Sequence, residues 1–153
     1  MDRRKALKLL FWIYCAVLLA LLFWRTPEQG PGTYWDRVLS LLNPRPFETV
    51  SHFARLLGHR SPALVRLAAV NLFGNVLMFV PLGLLLPALW PRLARWWKTL
   101  LLCAGAVIAG VLFQMLTLLG YCDIDDLTLN LLGAAMGYGL YLIFTKTKGS
   151  AAD

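Results

Sequence analysis

Residues 67–90 and 99–121 form two long runs without a single charged side chain. As helices rising about 1.5 Å per residue, runs of this length cross the roughly 30 Å hydrocarbon core of a bilayer. Two more stretches qualify: 127–144 is uncharged, and 7–24 carries only Lys8, close enough to its start to snorkel into the interface. Composition agrees, with 59% of the 153 residues hydrophobic and 15% charged, against roughly 45–50% and about 25% in a soluble domain. A core of this size cannot bury so much apolar surface, and the surplus needs a bilayer as its solvent. A soluble fold, a disordered chain, a collagen and a coiled coil are excluded together. The chain reads as an all-α membrane protein, one domain over 1–153, with four transmembrane helices and short amphipathic interfacial helices between the first and second.

The basic residues orient it. Arg3, Arg4, Lys5, Lys8, Arg92, Arg95, Lys98, Lys146 and Lys148 fall on three short segments on one side, whereas six Arg are spread along 25–66 and none lies in 120–126. Lys and Arg concentrated beside span ends mark the cytoplasmic side, which gives an N-in, C-in arrangement. Trp12, Trp24, Trp90, Trp96 and Trp97 stand at or near the predicted interfaces, where amphipathic rings are at home. The formal charge of +7 is then mainly a topology signal rather than a nucleic-acid footprint. Asp2-Arg3-Arg4-Lys5 looks like the basic start of a signal peptide, but no small-x-small site follows the apolar run, so it reads as an uncleaved anchor. The three cysteines form no CxxC, and Cys15 and Cys103 lie inside apolar runs, so neither a disulfide framework nor a zinc site is expected.

The outer segment, 25–66, is the one connection long enough to hold more than a turn. It opens on an irregular linker, Thr26-Pro27-Glu28-Gln29-Gly30-Pro31-Gly32. Thr33 then caps a short helix carrying Tyr34, Trp35, Val38 and Leu39, ended by Asn43-Pro44. Phe47, Val50, Phe53, Ala54 and Leu57 recur at helical spacing until Gly58. Both pieces are too short to span and read as helices lying in the interface or over the bundle. His52 and His59 on this segment read as solvated residues, with no second ligand cluster beside them. Ser40, Ser51 and Ser61 show no nucleophile-elbow context, so no serine hydrolase is indicated.

Polar side chains in the spans carry the functional information, because each costs free energy unless paired or used. Asn71 and Asn75 are four apart and share a helix face near Pro81, Gly83 and Pro87. They are either packing glue between helices or ligand contacts. Gln114 is a single amide in the third span. The sharpest signal is Asp123-Ile124-Asp125-Asp126-Leu127-Thr128-Leu129-Asn130, three carboxylates opening a hydrophobic helix with an Asn one turn later. One Asp is expected there as an N-cap beside the positive end of the helix dipole. Three repel one another unless a cation, an Arg or protonation relieves them. Two readings stay open: capping alone, or a site for a cation or polar ligand, in which hard carboxylate oxygens of Asp123, Asp125 and Asp126 suit Mg²⁺ or Ca²⁺. Gly133-x-x-x-Gly137 on the same helix permits close helix approach, which turns its polar face into the bundle. Asn71, Asn75, Asp125, Asp126 and Asn130 all lie near the outer ends of their spans, where they could converge in one pocket.

These residues resemble the VanZ-like family, small bacterial membrane proteins named for a member associated with teicoplanin resistance. The family's N-x-x-x-N-x-x-x-F-x-P-x-G block matches Asn71, Asn75, Phe79, Pro81 and Gly83, and its D-x-D-D-x-x-x-N-x-x-G block matches Asp123, Asp125, Asp126, Asn130 and Gly133. Asn43-Pro44-Arg45-Pro46-Phe47 looks like the family's Asn/Pro-Phe segment. The likeness runs from about Leu9 to Phe144. Two departures stand out: Val111 replaces a Glu common three residues before the Gln that matches Gln114, and Gly120-Tyr121-Cys122 replaces a basic residue before the acidic block. The resemblance implies a cell-envelope membrane protein and implies no reaction.

Three functions follow as expectations. The first is a binding role at the outer face, affecting how lipophilic glycopeptides or cell-wall precursors engage the surface. The second is a divalent-cation enzyme acting on a lipid-linked phosphate, with Asn71, Asn75 and Asn130 orienting substrate and the Asp residues as the only general bases. The third is an accessory subunit docking another membrane protein through its GxxxG face and outer helices.

Overall fold

The computed structural model describes residues 2–23 and 30–150; Trp24, Arg25 and the linker residues 26–29 lie outside them. Six helices are present among the described residues: α1 (Arg3–Leu22), α2 (Tyr34–Ser40), α3 (Glu48–Leu57), α4 (Pro62–Leu89), α5 (Trp96–Leu116) and α6 (Ile124–Ser150). Four of them, α1, α4, α5 and α6, are long and apolar enough to cross a membrane. The expected all-α membrane architecture is the one found, and the chain is a multi-pass membrane protein.

Each helix boundary has a local cause. Pro62 starts α4 at the first-turn position where its missing N–H is harmless, so Arg66 is inside the helix and α4 begins five residues before the uncharged run. α5 stops at Leu116, short of the predicted 121: Leu118 turns left-handed (φ 59°) and the N–H groups of Leu119 and Gly120 close on the Gln114 carbonyl. α6 opens at Ile124, three residues before the predicted span, because the carboxylates sit on its first turn beside the positive end of its dipole. Thr33 caps α2 in a reciprocal box with Asp36, and its hydroxyl and N–H hold that carboxyl below the ordinary range.

The core is the seam between α4 and α6, which run in the same direction in the most extensive helix contact of the chain. Glycines make it possible. A methyl group on Gly133 would meet the Val76 carbonyl oxygen at 2.0 Å, on Gly137 the Val80 oxygen at 2.0 Å, and on Gly83 the Ala134 oxygen at 1.9 Å. α1 packs on α4 through Phe11 against Trp90 and through the Tyr14 hydroxyl, which donates to the Met78 carbonyl at 2.6 Å beside the Pro81 turn. At the far end of α6 the Tyr138 hydroxyl donates to the Ala94 carbonyl at 2.7 Å, fixing the α4–α5 turn.

α1 and α5 finish, and α4 and α6 begin, at one end of the bundle, here termed the acidic end. There the connection between α2 and α3 meets the connection between α5 and α6 in a two-stranded parallel bridge, β1 (Leu42–Asn43) with β2 (Cys122–Asp123). Val38 and Leu41 are buried beneath it. Tyr34 anchors α2 by donating to the Leu116 carbonyl at 2.5 Å, satisfying an orphan group at the end of α5.

Candidate functional site

α3 begins without a cap of its own. Its N-cap residue, Phe47, is left-handed (φ 65°) and offers no side-chain acceptor to the first turn. The acceptor arrives from α6: Asp125 takes the Phe47 N–H on Oδ1 at 2.6 Å and the Val50 N–H on Oδ2 at 3.0 Å. Asp125 thus does for α3 what an N-cap side chain does, from 75 residues away along the chain in the Val50 bond. Its charge also faces the positive end of the α3 dipole. The residue is only 3% exposed.

Asp123 closes a second knot beside it. Its Oδ2 accepts from the Thr49 hydroxyl at 2.5 Å and the Asn43 amide at 3.2 Å, while Oδ1 accepts the Asp125 N–H at 2.8 Å. Asn43 also donates to Thr49 at 3.2 Å, so three side chains form a closed triangle under the β1–β2 bridge. Among the described residues neither Asp123 nor Asp125 has a Lys or Arg partner; the ion pair there is Arg45 with Glu48, at 3.3 Å on the surface. The mutual repulsion of Asp123 and Asp125 is eased by neutral N–H and O–H donors and by two helix N-termini. Burial, with the Asp123 carboxylate next to it, pushes the neighbouring Cys122 thiol up.

Asp126 faces the other way, into the seam, where the Asn75 amide donates to its carboxylate. One turn deeper, Asn130 is 4% exposed and its carboxamide oxygen has no hydrogen-bond partner among the described residues. Asn71 donates to the Leu67 carbonyl of its own helix at 2.8 Å. Gln114 is elsewhere, donating to the Leu22 carbonyl at 2.6 Å at the end of α1, with Gly120 packed against its side chain. The predicted residues therefore include an α3 clamp (Asp123, Asp125), a seam pair (Asn75, Asp126) with Asn130 below it, and Gln114, which ties α5 to α1 away from both. Replacing Gln114 by Leu is expected to cost about 1 kcal/mol, read as a small drop in the unfolding midpoint in detergent, with no change at α3.

At Asp123 and Asp125 the donor set does not fit Mg²⁺ or Ca²⁺. Asp123 and Asp125 each have both oxygens engaged by protein donors, and no group of three His, Cys, Asp or Glu among the described residues converges on a point. Asn43 and Thr49 are site residues that sequence reasoning passed over. The Asn-Pro-Arg-Pro-Phe segment was the available signal, because it placed a second polar motif on the chain without saying what it meets.

A groove of about 230 Å³ lies against the knot, lined by Leu42 and Pro44, by Ile108, Val111 and Leu112 of α5, and by Ile124 and Leu127 of α6. Val111, one of the two departures noted above, forms part of its wall. α5 continues a further turn past Leu112, to Leu116, so the groove lies below the end of that helix.

A family model described as VanZ/LLP1 matches residues 11–145. No curated protein and no solved structure matches the chain.

Proposed function

The chain belongs to the VanZ/LLP1 family, and from that premise we propose that it acts by binding, at the outer face of the bacterial cytoplasmic membrane, on lipophilic glycopeptides such as teicoplanin or on lipid-linked cell-wall precursors. In this reading the acidic end faces outward, consistent with the nine Lys and Arg gathered on the three segments at the opposite side. The observation that carries it is the commitment of Asp123 and Asp125 to holding β1 and α3 down on the bundle, beside α2 anchored by Tyr34. Held so, this segment presents Trp35 at 63% and Phe47 at 70% exposure, with Leu39 also exposed, among Arg side chains. Aromatic anchors beside guanidinium groups suit a ligand with an apolar part and an anionic part at the interface.

Expression in a susceptible host tests the reading. Teicoplanin tolerance should rise several-fold over an empty vector, and a Trp35→Ser, Phe47→Ser double variant should lose that gain at equal surface level. An unchanged response, with the protein verified at the surface, contradicts it.

A further inference from the structure

We propose that the groove between Pro44, α5 and the start of α6 seats one acyl chain of an anionic phospholipid from the leaflet at the acidic end. This rests on the binding role above and names a ligand class for the same end of the molecule. The lining side chains are almost wholly apolar; the polar ones, Asn43, Cys122 and Asp123, stand together at the bridge. The hydrogen-bonding groups there are already engaged: the Asn43 amide by Thr49 and Asp123, the Asp123 carboxylate by Thr49, Asn43 and the Asp125 N–H, and the Cys122 N–H by the Leu41 carbonyl. A water molecule needs two to four polar partners to stay in such a space. A polar ligand entering it would give up its own hydration with nothing in return. The chemistry left for the groove is hydrocarbon.

The way in is lateral. Leu42, Ile108, Leu112 and Ile124 on its margin are exposed, on the flank of a candidate span where the surroundings are acyl chains. The sign of the headgroup follows from the segment above. Pro44 leads into Arg45, whose side chain is 77% exposed, and residues 30–60 carry four Arg against Asp36 and Glu48. Asp123 and Asp125, which would oppose an anion, are buried. Each Arg near such a surface is worth on the order of 1 kcal/mol toward an anionic headgroup.

Photo-crosslinking of the full chain in nanodiscs, with diazirine-labelled phosphatidylglycerol or phosphatidylcholine, tests this. Phosphatidylglycerol should label the 108–112 and 124–127 peptides several-fold more than phosphatidylcholine does. Val111→Phe should remove that label while leaving labelling of the exposed 12–17 stretch of α1 unchanged; Ile124→Phe serves if the first variant misfolds. Arg45→Gln should reduce the headgroup preference. Groove labelling that matches α1, ignores the headgroup or survives both filling variants overturns the proposal, as does displacement by teicoplanin instead of by phosphatidylglycerol. Teicoplanin tolerance of Val111→Phe separates the two readings. Label lost with tolerance intact upholds the groove as a lipid site that tolerance does not require; label present in the unsubstituted chain without any gain in tolerance overturns the binding role alone, whereas absent label in the unsubstituted chain with tolerance intact overturns the groove alone.

Discussion

Asp125→Ala is expected to free α3 while leaving the four long helices assembled. The substitution orphans the Phe47 and Val50 N–H groups, and a buried donor left without its partner costs about 1–3 kcal/mol. α3 has no fully buried residue, and its other ties are the Thr49–Asp123 hydrogen bond and partly exposed packing on α4. Its release re-solvates both groups, so the cost is paid locally. Protection of the 47–57 amides should fall about 100-fold, equivalent to about 2.7 kcal/mol, and proteolysis between Arg45 and Arg60 should accelerate. Asp125→Asn, which keeps one acceptor oxygen, should give an intermediate loss. Equal destabilisation of every helix would mean instead that Asp125 supports the bundle as a whole.

The opposite pattern is expected at the α4–α6 seam. Gly133→Ala places a methyl group 2.0 Å from the Val76 carbonyl oxygen, and that neighbour is backbone, which cannot step aside without parting the helices. Overpacking of this kind costs about 3 kcal/mol or more, and Gly133→Leu should abolish monodisperse protein altogether. Gly83 and Gly137 should behave alike, with contacts of 1.9 and 2.0 Å to backbone oxygens. Gly74, Gly105 and Gly139 are the controls, since nothing lies within 4 Å of an added methyl. Alanine there should be neutral or stabilising by up to about 1 kcal/mol. Thermal unfolding in detergent compares the two sets directly.

The four long helices could be read from the sequence because a bilayer imposes one requirement, apolar length, that each run displays on its own. The Thr33 cap was legible for the same reason, because capping is local; its reciprocal partner Asp36, three residues on, was not picked out. The clamp was not. Asp125 binds backbone N–H groups, which have no residue-type signature, and the φ of Phe47 is visible only once the chain is folded. The three acids stand out in the sequence, but counting them as one site assumed a shared direction. Asp123 and Asp125 turn to the α2–α3 segment while Asp126 turns to Asn75. Gln114 misled similarly, since an amide in a span signals a partner without saying which, and its partner is the end of α1. The hydroxyls of Tyr14, Tyr34 and Tyr138 were not read as ties because an aromatic ring satisfies the apolar pattern and conceals the group that joins one helix to another.

Central to this account is that the Asp125 carboxylate is committed to the start of α3 rather than held open for a cation. Amide hydrogen exchange at Phe47 and Val50, in purified unsubstituted protein with and without millimolar Mg²⁺ or Ca²⁺, measures that commitment. Both amides should be strongly protected, to the same degree in every condition. Rapid exchange without cation, or protection that arises only when Mg²⁺ or Ca²⁺ is added, would contradict it.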